Sequence, residues 1–261
     1  EDEKRAMLEQ QIEVMQLLIP LYRRLHQRGQ VEVSVTPMYH PILPLVIDTE
    51  SARRPTPSRP RPSRLQAPDD ARFHVREGRT VVRDVLGVDV DGMWPSEGAI
   101  SPELVEMFDD HGLQWCASDE EVLENSTTSG GTHAEDLYRP WRLEGSETLV
   151  FFRDHELSDQ IGFVYGKAGA EEGVDDFMKR LRQIDGRESR EPPVVSVILD
   201  GENPWEHYPN DGEDFLHQLY DRIAGAEDVE TVTPGEVVGE HEQVGTLETL
   251  HSGSWIRSNF D

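Results

Sequence analysis

Short apolar runs alternate with longer amphipathic stretches along this chain. Apolar or β-branched runs ending in polar residues recur at 31–36 (VEVSVT), 92–95 (GMWP), 113–117 (LQWCA), 148–153 (TLVFFR), 194–200 (VVSVILD) and 229–233 (VETVT). Their length and bounding residues predict six strands. Between and before them, apolar spacing predicts helices over about 4–27, 174–184 and 214–224, with a short one after Pro234. Ser101 as a cap, Pro102 in the first turn and Gly112 past the end bracket a further helix over 101–111. Strands that alternate with helices predict parallel βα units. No Gly-rich phosphate loop follows any strand, which favours an α/β barrel over an open doubly wound sheet. The Pro-, Arg- and Ser-rich segment 51–70 reads as a long loop over the same domain, because the patterning before and after it is the same.

A chain of 261 residues with 36% apolar content can bury a core. No apolar run approaches the roughly 18 to 20 residues that cross a bilayer, and the opening EDEKRAMLEQQ is too charged for a signal peptide. A soluble protein is the expectation. The single cysteine, Cys116, rules out an intrachain disulfide and is compatible with a reducing cytoplasm.

Charge narrows the picture further. With 52 acidic against 25 basic residues the net charge is −27, which makes nucleic acid and anionic membranes poor partners. Only Lys4, Lys167 and Lys179 among the basic residues are lysines. An Asp/Glu-rich, Lys-poor composition suits a cytoplasm of concentrated salt, where a Debye length of about 3 Å at 1 M screens self-repulsion. An ordinary acidic protein is the alternative.

In a barrel the strand ends share one face, and chemistry is placed there. His40, Glu97, Asp119 and Glu120, Asp154 with Asp159, Asp200 and Glu202, and Glu236 follow the six runs in order. A fifth of the chain is acidic, so a strand-end carboxylate alone identifies nothing. Two stand out by context. Glu97 follows Trp94 and Pro95, so a stiff turn would hold its carboxylate beside an indole. Asp200 emerges directly from an apolar strand, where partial desolvation would favour the protonated form. One ionised and one protonated carboxylate is what glycoside cleavage with retention needs, at a separation of about 5 to 5.5 Å. Trp94, Trp115, Trp205 and Tyr208 suit stacking on pyranose rings. Ordinary readings stand beside these: Asp200 as a turn cap, Glu97 as a carboxylate at a helix N-terminus, His40 as a hydrogen-bonded loop residue, and the tryptophans as core. A metal site built from Asp200, Glu202, Glu206 and His207, as in metal-dependent polysaccharide deacetylases, is a further alternative. No second His at ligand spacing follows it. A non-catalytic glucan-binding protein is a third.

The strings GQVEVSVTPMYHPILPL (29–45), GMWPSEGAIS (92–101), WCASDEEVL (115–123), FFRDHELSDQIGF (151–163), VSVILDGENPWEHYP (195–209) and GSWIRSNF (253–260) resemble glycoside hydrolase family 57, closest in look to its α-amylase-like branch. The resemblance runs in order over nearly the whole chain. It implies an incomplete (β/α)7 TIM-like barrel over 1–240, including the loop 51–70, with 241–261 as the start of a C-terminal helical region. It implies a retaining α-glycosidase acting on α-1,4-glucans, with Glu97 as nucleophile and Asp200 as general acid/base. Glu32, His40, Trp94, Arg153, Asp154, Asp159, Glu202, Trp205 and Trp255 would line glucan subsites. No cofactor is implied, and the chemistry requires no metal. The family pattern begins with a strand ending in His-Gln-Pro, which does not occur here. The chain is therefore expected to be a fragment or processed form of a longer protein, with an open barrel edge and weak or no activity by itself.

Overall fold

The computed structural model describes residues 2–134, 136–185, 192–240 and 243–260. In chain order the helices are α1 (Asp2–Gln27), α2 (Leu43–Ile47), α3 (Pro68–Leu86), α4 (Pro102–Asp110), α5 (Glu120–Glu124), α6 (His155–Asp159), α7 (Ala170–Asp185), α8 (Glu213–Ala224) and α9 (Pro234–Glu240). The strands are β1 (Gly92–Met93), β2 (Trp115–Asp119), β3 (Trp141–Leu143), β4 (Leu149–Arg153) and β5 (Gly245–Leu247). They form one sheet in the order β1-β2-β4-β3-β5. Among the described residues no helix is long and apolar enough to cross a membrane.

β2 and β4 are the centre of the wall. Every residue of both is buried, and they pair in parallel from Trp115↔Leu149 to Asp119↔Arg153. Buried parallel strands read as continuous apolar runs because both faces are covered. Alternate residues divide between two clusters, as the period of two requires. Cys116, Val150 and Phe152 join the core beneath α3 and α4, whereas Trp115, Ala117, Leu149 and Phe151 pack on the opposite face with Val237 of α9. β1 adds to the free edge of β2, pairing Gly92 with Trp115. A glycine is required there because a Cβ at 92 would lie 1.9 Å from the Trp115 indole. Beyond β1, Val35 bridges Met93 in parallel, and at the other end Ser196 bridges Arg153 in parallel. The result is an unclosed barrel wall, whose parallel segments end at Thr36, Trp94, Asp119, Arg153 and Asp200. A second cluster, built on Leu157, Tyr165, Phe177, Met178 and Phe215, seats α6, α7 and α8.

The expected helices are all present, with Ser101 Oγ accepting from Leu104 N–H at 3.4 Å at the start of α4. The expected strands at 31–36 and 194–200 are extended but contribute one bridge each, at Val35 and Ser196. In the second, the ladder is replaced by other partners: Ser158 Oγ accepts from Ile198 N–H at 3.0 Å, and Arg153 Nε donates to Ile198 O at 2.7 Å. Residues 229–233 carry no strand and lead directly into α9. The helical region expected from 241 is corrected: the described residues 243–260 hold no helix, and β5 pairs in parallel with β3, burying Leu247. The expected loop 51–70 begins as a 3-10 turn (Thr49–Arg53) and gives way at Pro68 to α3. Its ends are drawn together by Asp48, which pairs with Arg64 and accepts from Gln66 and Glu50 N–H; the Arg64 guanidinium holds the Asp48 carboxyl down to about 2.

Candidate active site

Glu97 stands in the turn Ser96–Gly98 that closes β1, with φ 57 and ψ 26. A glutamate in the left-handed region is strained, and it persists only where its surroundings over-determine the backbone. Here Gly98 N–H donates to Pro95 O (2.8 Å), Ala99 N–H to Ser96 O (3.0 Å) and Ser118 Oγ–H to Gly98 O (2.7 Å). A Cβ on Gly98, itself at φ +59, would sit 2.9 Å from Trp94. Glu97 is held again at its carboxylate. Trp255 Nε1–H donates to Oε2 at 2.8 Å while Trp255 N–H donates to the Glu97 carbonyl at 3.0 Å. His40 Nε2 is 3.3 Å from Oε1, and its Nδ1 is 3.1 Å from Thr36 Oγ1. The tautomer in which Nδ1 accepts from the Thr36 hydroxyl is the one that presents an Nε2–H to the carboxylate. Tyr39 and His40 are both left-handed, at φ 61 and 54, which turns the imidazole toward Glu97.

Arg153 lies beneath this group and is 6% exposed. Its Cζ is 5.5 Å from the centre of the Trp255 ring, which meets Trp94 edge to face with ring centres 5.2 Å apart. Its Nη1 donates to Asp119 Oδ2 at 3.3 Å and its Nη2 to Asp159. His155 closes the cluster, with Nε2 2.9 Å from Asp159 Oδ2 and Nδ1 3.5 Å from Asp119 Oδ2. Glu120 accepts from His155 N–H at 3.0 Å; burial pushes its carboxyl up, that hydrogen bond opposes the rise, and Asp154 and Asp119 add to it.

Asp200 stands at the end of the extended segment that Arg153 and Ser158 suspend from β4. Asp200 and Glu202 are exposed, which differs from the desolvation expected of Asp200. Asn203 Nδ2–H donates to Asp200 Oδ2 at 2.7 Å. Both carboxylates border a cavity of about 510 Å³, whose wall includes Trp94, Trp115, Phe151, Ile198 and Trp255. Trp255 therefore touches Glu97 and lines the same cavity as Asp200.

The remaining candidates are placed differently. Asp154 is 4% exposed and caps α6: Oδ1 accepts from Leu157 N–H at 2.8 Å and Oδ2 from Tyr138 Oη–H at 3.0 Å. Trp205 packs on Tyr208, and its Nε1 donates to Gly201 O at 2.7 Å, so it props the 200–203 turn from behind. Glu32 is committed at both oxygens, to Trp115 Nε1–H at 2.8 Å and Gly235 N–H at 2.7 Å. Trp115, read as core, lines the cavity as well as filling it. Thr36 and His155 are not legible in the sequence, because a hydroxyl and an imidazole beside a strand end give no periodic signal. Among the described residues no three His, Cys, Asp or Glu side chains are grouped to hold a metal ion, so Asp200, Glu202, Glu206 and His207 form no ligand set.

The family model described as glycosyl hydrolase family 57 matches residues 6–250. The chain is 26% identical over 237 residues to an α-amylase of Pyrococcus furiosus, covering 88% of this chain and 31% of that protein. It is 24% identical over 236 residues to a 4-α-glucanotransferase of Thermococcus litoralis, covering 88% of this chain and 30% of that protein. The crystal structure of a branching enzyme of Thermococcus kodakaraensis superposes with a TM-score of 0.68 at 18% identity, covering 92% of this chain and 52% of that one. The chain thus spans about a third of the length of the curated relatives it matches.

Proposed function

The chain belongs to glycosyl hydrolase family 57, and from that premise we propose that it carries the catalytic pair of a retaining α-glycosidase acting on α-1,4-linked glucans. The single observation behind this reading is the double clamp on Glu97: its carboxylate, carried on a strained turn, is held by Trp255 and His40, and Trp255 also lines the cavity that Asp200 borders. A nucleophile needs this fixed orientation. Asp200, which borders the cavity, has the exposure a proton shuttle needs.

In the proposed cycle Asp200 delivers its proton to the glycosidic oxygen as a Glu97 oxygen attacks the anomeric carbon. The glycosidic C–O bond breaks, the shortened glucan leaves with the proton, and glucosyl-Glu97 remains. Asp200, now ionised, takes a proton from water or from a sugar hydroxyl, which attacks the anomeric carbon and frees Glu97. Water gives hydrolysis and a sugar hydroxyl gives transfer. Product analysis on maltooligosaccharides distinguishes them. A trapping fluoro-sugar tests the reading itself: a covalent adduct on Glu97 supports it, and an adduct elsewhere with Glu97 unmodified rejects it.

Trp255→Phe keeps the ring and removes the indole N–H. A hydrogen bond to a charged group contributes about 1.5 to 3 kcal/mol, so kcat/KM should fall roughly 10- to 100-fold in steady-state assays. An unchanged value would mean that the bond does not hold Glu97 in the working geometry.

Salt adaptation, and with it a cytoplasm of concentrated salt, is part of the same proposal. It rests on the charge of −27 and the scarcity of lysine. Raising KCl from 0.1 to 2 M shortens the Debye length from about 10 Å to below 3 Å, which should raise the thermal unfolding midpoint by several degrees. A midpoint that stays level or falls in calorimetry excludes it.

A further inference from the structure

The loop that carries His40 to Glu97 carries a second ring outward. Tyr39 is 78% exposed although its backbone is left-handed, a conformation a bulky residue adopts only under constraint. The constraint comes from α3. Met38 N–H donates to His74 O at 3.0 Å, and His74 Nδ1 pairs with Met38 O at 2.6 Å. Gly78 lets the loop lie directly on the helix, since a Cβ there would be 2.7 Å from Thr36 O. The backbone is therefore pinned on both sides of the turn, and burial of the Tyr39 ring is given up to keep it there.

The ring does not stand alone. His74 meets Tyr39 edge-on at 6.1 Å and Phe73 edge-on at 5.6 Å, and Phe73 is 41% exposed with Arg76 Cζ 5.7 Å from its centre. These three rings form a ledge on α3 and the adjoining loop, one residue from the imidazole that touches Glu97. An exposed tyrosine offers a rigid amphipathic face with little side-chain entropy to lose. The CH-rich face of a pyranose is its natural complement.

We propose that Tyr39, backed by His74 and flanked by Phe73, is a stacking subsite for a glucosyl unit of the α-glucan chain beyond the one attacked at Glu97. Its ligand class rests on the α-glucan reading above. The subsite would select for chain length, because a substrate too short to reach the ledge gains nothing from it.

The test uses Tyr39→Asn, which removes the ring while keeping a residue that tolerates a left-handed backbone, and Tyr39→Trp, which restores an aromatic face. Steady-state KM is measured for maltoheptaose and for 4-nitrophenyl α-glucoside. The ratio of the two values should rise about 5- to 10-fold in Tyr39→Asn and return toward the parent in Tyr39→Trp. An unchanged ratio in Tyr39→Asn, or a rise that Tyr39→Trp fails to reverse, overturns the ledge. Dissociation constants for maltoheptaose, read by tryptophan fluorescence in the Glu97→Gln background, separate the two proposals. Undiminished turnover in Glu97→Gln rejects the nucleophile assignment, while weaker maltoheptaose binding on adding Tyr39→Asn still supports the ledge. No detectable maltoheptaose binding by the parent chain overturns it.

Discussion

Glu97→Gln should lower kcat on maltooligosaccharides by about 10⁴-fold or more and leave the fold unchanged, as loss of a nucleophile does in covalent catalysis. The amide is close to isosteric, so Trp255 Nε1–H keeps an acceptor and the turn Ser96–Gly98 keeps its backbone bonds. Asp200→Asn should cost about 10²- to 10⁴-fold, the usual share of a general acid/base, and its deficit should depend on the leaving group. An aryl glucoside whose phenolate leaves without protonation would recover most of the first step, whereas amylose would not. That difference assigns the two roles. Equal losses on both substrates in Asp200→Asn would reject it as the acid, and near-parent activity in Glu97→Gln would reject the pair. Circular dichroism and the unfolding midpoint must match the parent for either result to count.

Arg153→Met should lower unfolding free energy by about 3 to 5 kcal/mol, measured by urea titration, because it removes one side of a buried ion cluster. Asp119 is 1% exposed and would lose the guanidinium that offsets its burial, and Ile198 O would lose its donor. Exposed pairs such as Arg5–Glu9 and Arg53–Glu50 set the comparison, since removing one should change stability by 0 to 1 kcal/mol. A loss below about 1 kcal/mol for Arg153→Met would show that the cluster is no stronger than those. The same substitution should depress activity more than stability alone explains. Arg153 touches the Trp255 ring that clamps Glu97 and carries the segment that ends in Asp200, so both carboxylates lose a support.

What could be read directly from the sequence follows the strength of each physical signal. β2 and β4 are legible because strands buried on both faces carry unbroken apolar runs, here 115–117 and 149–152, before their polar ends, and α4 because its cap and terminator are single recognisable residues. Glu97 and Asp200 stand out as carboxylates abutting apolar runs. α3 is harder to read because two of the five positions it lays on the core, Ala71, Val75, Gly78, Val82 and Leu86, are small residues that carry little apolar signal. β3 and β5 are three residues each, below the length at which alternation can be told from chance. Asp154 and Trp205 have the right residue types at the right strand ends. Their side chains nevertheless serve a helix cap and a turn, a choice made by local hydrogen bonds that spacing does not encode. The left-handed pair Tyr39–His40 is invisible for a simpler reason: neither residue is the Gly or Asn that usually announces such a turn.

Gly92, Trp115, Glu32 and Gly235 amount to a single inherited character spread over four codons. The indole needs the bare glycine at 92, its N–H needs the Glu32 carboxylate, and that carboxylate closes on Gly235 N–H, where a Cβ would stand 3.1 Å from its oxygen. In a diverging lineage a change at one of these positions leaves a clash or an unpaired buried group until the others change too, so the coupling is non-additive. Family members should therefore keep the quartet whole or replace it whole, and chimaeras that join residue 92 from one lineage to residue 115 from another should fail at this seam first.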